Sequence, residues 1–339
     1  MRRLLNSLFA DSNIVRHTSS MKETASMIRT TRLGQMALGL MALLAFAAPL
    51  SAVDMLYVSL NDSTIVSYDT TSGVGSTIAA SVATFSSSNL SGLKGLVFDS
   101  SGNLYAANNA GPYVNTISKF NSSGAYLSNI IGNLNSPAGL AFDISGNLYA
   151  ANYTVNTISK FNSSGAYVSS ISGNLNGPQG LAFDISGNLY VANNNVNTIS
   201  KFNSSGAYVS SISGNLNGPL GLAFDISGNL YAANTGDNTI SKFNSADGYL
   251  SSISGNLDVP YGLASDSSGN LYAANFGNNS ISKFNSSGVF LTSWSTGSAK
   301  PQFLAFKPVT VPEPSTYALS AIATGVMAAI ARRRKARTA

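Results

Sequence analysis

Between residues 95 and 307 the apolar residues gather in short runs, broken at intervals of about ten residues by Gly, Asn, Ser, Asp and Pro. One stretch shows the pattern: GLAFD (139–143), NLYAAN (147–152), TISKF (157–161) and AYVSSIS (166–172) are the runs. Tyr, Val, Ile, Phe and Leu fill them, as they fill strands. Ile-Ser-Gly and Asn-Ser-Ser-Gly fill the gaps, as they fill turns. Gaps this short leave no room for crossover helices, so each unit is expected to be a four-stranded antiparallel sheet.

The unit repeats. Lys-Phe returns at Phe120, Phe161, Phe202, Phe243 and Phe284, 41 residues apart each time. Asp returns at Asp99, Asp143, Asp184, Asp225 and Asp266, with a first gap of 44 because NNAGPYVN is three residues longer than NYTVN. Four strands per unit of about 40–45 residues is the signature of a propeller blade. The Leu-Tyr strand occurs six times, at Tyr57, Tyr105, Tyr149, Tyr190, Tyr231 and Tyr272. The GLAFD-type strand also occurs six times, but shifted, from 95–99 to FLAFK at 303–307. Placing 303–307 beside 55–59 completes a sixth blade from both ends and removes the exposed sheet edges. The expected fold is all-β: a six-bladed β-propeller of four-stranded antiparallel blades, closed by pairing of N- and C-terminal strands.

These units, Asp-x-x-Gly-Asn-Leu-Tyr-x-Ala followed by Asn-x-Ile-x-Lys-Phe and Pro-x-Gly-Leu, resemble NHL repeats across 53–309. The resemblance implies a propeller. Asn108, Asn152, Asn193, Asn234 and Asn275 stand where NHL repeats often carry Asp, and Thr or Ser stands where they often carry Arg. FDISGNLYAAN itself reads as a hairpin, with Asp capping the turn and Gly and Asn tolerating left-handed backbone angles.

Charge separates the disc from its flanks. The chain of 339 residues carries a net charge of +5, yet 53–311 holds eight Lys, eleven Asp, no Arg and no Glu, a balance of −3. The basic residues lie at the two ends, which argues against a nucleic-acid surface. Residues 1–52 are expected to be an N-terminal extension and signal peptide: a short basic region, an apolar run from Met36 to Ala48, then Pro49 and small residues, with cleavage after Ala52. At 310–339, Pro312-Glu313-Pro314 precedes an apolar run, Tyr317–Ala331, closed by Arg332, Arg333, Arg334 and Lys335. As a helix that run would be about 22 Å long, short of the roughly 30 Å hydrocarbon core, and its basic end would stay cytoplasmic. The three parts in this order resemble the PEP-CTERM sorting signal of bacteria that make extracellular polysaccharide. The resemblance implies export, transient membrane anchoring through the apolar segment, and processing by an exosortase-like enzyme.

Candidate chemistry is sparse. His17 is the only histidine, and 53–309 has no His, Cys, Arg or Glu, so a nucleophile–base pair would need Ser with Lys or Asp. No cofactor, metal or catalytic residue is expected. The Asp series is read as turn caps rather than Ca²⁺ ligands. The Lys series (Lys119, Lys160, Lys201, Lys242, Lys283) is read as solvated strand faces rather than a site for anionic polymers. The repeats differ at two places: the loop after the second strand and the residue after each blade's Pro, which an up-and-down blade puts on one face. Tyr153, Gln179, Asn194, Asn195, Tyr261 and Phe276 are therefore the candidate ligand-face residues. The expected function is an exported, non-catalytic binding or structural propeller of the cell envelope or extracellular matrix, with polysaccharide or envelope proteins as partners. The alternatives are a lactone- or ester-directed lyase or hydrolase at the central mouth, and a protein-docking propeller.

Overall fold

The computed structural model describes residues 54–70, 83–86, 89–110 and 114–308. Among them, twenty-four strands form six four-stranded sheets. One blade shows the plan: β8 (Pro137–Phe142), β9 (Leu148–Asn152), β10 (Thr157–Phe161) and β11 (Tyr167–Ser172) pair in chain order, all antiparallel. The closing blade has the order β24 (Pro301–Phe306), β1 (Met55–Leu60), β2 (Thr64–Asp69) and β3 (Ala83–Ser86). Leu56 pairs with Phe306, Tyr57 with Ala305 and Val58 with Leu304, which is the closure read from the offset repeats. The segments 1–52 and 310–339 fall outside the described residues.

Six inner strands line the axis: β4 (Leu93–Phe98), β8, β12 (Pro178–Phe183), β16 (Pro219–Phe224), β20 (Pro260–Ser265) and β24. Each lies against the next, around to β24 beside β4. They begin earlier than the apolar runs suggest, at the Pro itself, because Pro178 pairs with Asn193. A strand's first residue tolerates the missing N–H. The register then slips between Pro178 and Leu181, so Gln179 and Gly180 together face Ala192 across a β-bulge. The approach of neighbouring inner strands dictates the glycine. A Cβ on Gly180 would sit 2.2 Å from the Leu220 carbonyl oxygen, and one on Gly221 2.2 Å from that of Tyr261. In the closing strand this position is Phe303.

The second strand of each blade is buried on both sides, and its alternating side chains serve two interfaces. In β13 (Leu189–Asn193), Leu189 and Val191 pack with Ala151 and Ile158 of one neighbour. Tyr190 and Ala192 pack with Leu222 and Phe243 of the other. All five residues of β13 are buried for that reason.

On one face of the disc the hairpin turns carry the aspartates. The Asp184 carboxylate accepts from Ser186 N at 2.9 Å, Asn188 N at 2.8 Å and Asn188 Nδ2 at 2.7 Å. These oxygens are committed to the turn. The lysines correct the expectation of solvated strand faces. Lys160 Nζ lies 5.0 Å from the Tyr149 ring centroid and 3.6 Å from Asp143, and Lys242 is placed the same way over Tyr231 and beside Asp225. Their side chains are mostly shielded, at 23% and 18% exposure.

Candidate functional site at the propeller mouth

On the opposite face the inner strands begin and the loops between second and third strands emerge. Each loop is tied to the lead-in of its own inner strand: Tyr153 N donates to Ser136 O, Asn194 N to Gly177 O, Thr235 N to Gly218 O and Phe276 N to Val259 O. Pairings such as Pro178 with Asn193 put the two variable places side by side.

A buried asparagine fixes each loop. Asn193, 1% exposed, donates through Nδ2 to Thr198 Oγ1 at 3.1 Å and Ser200 Oγ at 2.8 Å, and its Oδ1 accepts from Asn176 N at 3.1 Å. Ser200 Oγ in turn donates to Asn174 O at 2.6 Å. An amide suits this position because it must donate and accept at once, which an ionised carboxylate cannot do. The asparagines that depart from the NHL pattern are therefore structural. A second asparagine bridges blades: Gly177 N donates to Asn156 Oδ1 at 2.7 Å, and Gly218 N to Asn197 Oδ1 at 2.7 Å.

At the axis these elements enclose a cavity of about 320 Å³. Gln179, Leu220 and Tyr261 reach it from the bulges of β12, β16 and β20, and Tyr153, Asn194 and Thr235 from the loops. Four of the six sequence candidates, Tyr153, Gln179, Asn194 and Tyr261, thus share one cavity. The other two stand behind it. Asn195 accepts from Tyr153 Oη at 3.4 Å and donates to Asn176 Oδ1 at 3.1 Å. Phe276 stacks on Tyr261, with centroids 4.4 Å apart and planes 10° from parallel.

Three residues at the mouth escaped sequence reasoning. Lys94 occupies the place after the Pro, but Leu93 stands in for the Pro of that blade and hides the alignment. Its Nζ donates to Gln302 Oε1 at 3.0 Å and lies 5.6 Å from the Tyr261 centroid. Burial pushes the Lys94 ammonium below the usual lysine range. Lys300 Nζ lies 4.5 Å from the Phe276 centroid. The Tyr261–Phe276 stack thus has a cation on each side. Phe303, at the position that is glycine in the other inner strands, also lines the cavity. Burial raises the Tyr261 phenol. The four ion pairs among the described residues all lie toward the turn face, and none involves Lys94 or Lys300.

The mouth can offer amide, hydroxyl and ammonium hydrogen bonds around an apolar floor of Leu220 and Phe303. Both faces of the aromatic pair are engaged, so the ring left open at the rim is Tyr153, 36% exposed.

Residues 310–335 match the model of the PEP-CTERM protein-sorting motif, spanning Pro312, Glu313, Pro314 and Arg332, Arg333 and Arg334, all outside the described residues. A motif of this kind implies export, membrane-associated sorting and exosortase processing. No curated protein sequence matches the chain. Among solved structures, the disc is similar to a chain of a nidogen/laminin complex at 20% identity and TM-score 0.66, covering 76% of this chain and 99% of that one. A Bacteroides caccae protein of unknown function is similar at 13% identity and TM-score 0.61, covering 75% and 99%. A catalytically inactive, His-to-Ala variant of virginiamycin B lyase from Staphylococcus aureus, with quinupristin, is similar at 15% identity and TM-score 0.55, covering 76% and 94%. Likeness at these identities establishes the fold.

Proposed function

We propose that this is an exported, non-catalytic binding propeller of the cell envelope or extracellular matrix, whose mouth takes a hydroxyl-rich ligand of the polysaccharide class. The observation that carries it is the convergence of the blade-to-blade differences. Units that otherwise repeat nearly verbatim diverge at Gln179, Leu220 and Tyr261 and at Tyr153, Asn194 and Thr235, and those side chains meet at one cavity. Amides and phenols there match alternating hydroxyl donors and acceptors. The test is calorimetric titration of the protein with polysaccharide from its own host. Saturable binding that falls about tenfold in Gln179→Ala, the worth of one hydrogen bond, supports the reading. Absence of heat for every host glycan fraction defeats it.

A lyase or hydrolase acting on lactones or esters is the second reading, favoured by the fold shared with virginiamycin B lyase. That enzyme is catalytically inactive when a histidine is replaced by alanine, whereas residues 53–309 contain no histidine. The titratable groups at this mouth are Lys94, Tyr153 and Tyr261 around the cavity and Lys300 beside Phe276. Turnover of a lactone or ester panel that disappears in Lys94→Met would replace the binding reading with this one. A third reading, protein docking at the mouth, is separated by pull-down from envelope extracts.

A further inference from the structure

The chain leaves the disc on the turn face, at a position with a counterpart in every blade. Phe306-Lys307-Pro308 of the closing strand stands where the others carry Phe142-Asp143-Ile144, Phe183-Asp184-Ile185 and Phe224-Asp225-Ile226. Lys307 N donates to Met55 O, so the chain also enters β1 on this face. Around the ring, Ile144 is 99% exposed, Ile185 100% and Ile226 77%. They belong to three adjacent blades. The turns themselves do not need isoleucine. Ser100 and Ser267 hold the same place in the two remaining turns, which close with the same bond: Gly102 N to Asp99 O and Gly269 N to Asp266 O, each 3.0 Å, as for Gly187 N to Asp184 O. Large apolar side chains held mostly in water at the tips of three adjacent blades mark a contact surface.

What covers it follows from where the chain goes. Eight residues, 309–316, separate Pro308 from Tyr317, where the apolar run before the arginine cluster begins. Even fully extended, eight residues span no more than about 30 Å. Once that run is held in a bilayer, the disc cannot stand far from it, and the face bearing Pro308 is the nearer one. Lys160, Lys201, Lys242 and Lys283 of this face are paired with Asp143, Asp247, Asp225 and Asp266, Lys119 lies over the Tyr105 ring and Lys307 donates to Ser122 O, so the lysines here are already engaged within the disc. Contact there is apolar rather than electrostatic.

We infer that, while the C-terminal segment is retained in the membrane, the propeller lies with its turn face on the bilayer surface. Ile144, Ile185 and Ile226 enter the headgroup–acyl boundary, and the mouth with Gln179 and Tyr261 points away from the membrane. The inference rests on the membrane retention that the sorting motif implies and is independent of what the mouth binds.

The chain has no cysteine, so single-site labelling is clean. Full-length Ile185→Cys and Asn195→Cys, each carrying an environment-sensitive fluorophore, are reconstituted in phosphatidylcholine vesicles containing lipids brominated near the headgroup. Insertion of roughly 5–10 Å predicts loss of about half the emission at position 185 and none at position 195. Adding Ile144→Ser and Ile226→Ser, a change the turns at Ser100 and Ser267 already accept, should restore much of the emission at 185 without moving the unfolding midpoint. Equal quenching at both sites, quenching at 195 alone, or quenching at neither overturns the orientation. Failure of the protein to float with vesicles removes the membrane retention and the inference with it. Shielding of position 185 without vesicles, growing with protein concentration, assigns the face to a second copy instead.

Discussion

Lys94 Nζ donates to Gln302 Oε1 at 3.0 Å, and that bond joins the first inner strand of the chain to the last, 208 residues apart. It lies at the rim of the mouth, beside the Tyr261 ring. The ring is therefore clasped on its mouth face by a partly buried cation with an amide, not a carboxylate, as partner. Burial makes the charged form costlier in the folded chain than in the unfolded one.

That cost has a sign. The folded Lys94 loses its proton below the ordinary lysine value of about 10.4, so in the window between the two the unfolded chain binds more protons. Stability contributed by this group should rise with pH across that window. Urea unfolding of the wild type and Lys94→Met between neutral and alkaline pH checks it: the variant should lack the rise. Carbon-13 NMR of methylated lysines should place the Lys94 titration below the usual range.

Asn193 predicts a large effect on stability. Removing its amide leaves the Asn176 N–H without its acceptor and takes a donor from the Thr198 and Ser200 hydroxyls, of which Ser200 keeps its bond to Asn174 O, and an unsatisfied buried group costs about 1–3 kcal/mol. Asn193→Ala should therefore destabilise by roughly 2–4 kcal/mol in urea unfolding. Asn193→Asp should not rescue it at neutral pH, since a carboxylate cannot donate to either hydroxyl. Asn195→Ala, two residues along on the exposed rim, should change stability by about 0.5 kcal/mol or less.

Gly180→Ala tests the close approach at the axis. Its Cβ would meet the Leu220 carbonyl oxygen at 2.2 Å, a backbone atom held by its own blade. Overpacking of this kind costs about 1–3 kcal/mol and sometimes more. A lowered thermal midpoint is expected, while Gly187→Ala, whose Cβ would meet only Ser204 Cβ at an ordinary 3.8 Å and whose backbone angle is +81°, should show only the turn's local strain. An unchanged midpoint for Gly180→Ala would mean the inner strands can separate.

The turn face should govern acid stability. Burial raises the Asp143 carboxyl, but hydrogen bonds from Asn147 and the charge of Lys160 outweigh it and hold it below the usual range. Asp225 is held down likewise by Asn229 and Lys242. Groups depressed in the folded state stabilise above the unfolded value of about 3.9, and that contribution is lost as pH falls through the folded one. Asp143→Asn combined with Asp225→Asn should flatten the fall in thermal midpoint between pH 5 and the acid limit, about pH 2.

Much of the architecture was legible because each strand and turn is determined by its own few residues. The apolar run in NLYAAN and the turn chemistry of Asp-Ile-Ser-Gly-Asn hold in any context, and the offset between the first Leu-Tyr strand and the last FLAFK strand leaves ring closure as the way to pair both edges. The sharing of one face by Gln179 and Asn194 was also legible, because it needs only the order of strands in a blade.

The lysines were not legible. Lys201 finds Asp247, 46 residues away on the next blade, at 3.1 Å, and that aspartate exists because one turn reads Ala-Asp-Gly where the three blades before it read Ser-Gly-Ala. Lys94 was hidden by a leucine in the place of proline. The pairing of Tyr261 with Phe276, and of each with a lysine, depends on bulges and loop courses that periodicity does not express.

The sequence by itself determined the 41-residue period, the antiparallel blades, the closure and the C-terminal sorting motif, since these rest on local propensity and on spacing. Only the tertiary structure decided which side chains converge. The mouth is assembled from five inner strands and the loops between them, distant in sequence, aimed by a bulge at Gln179-Gly180 and spaced by the approach of Gly180 to Leu220. Such contacts depend on the curvature of the closed ring, a property that no single repeat contains.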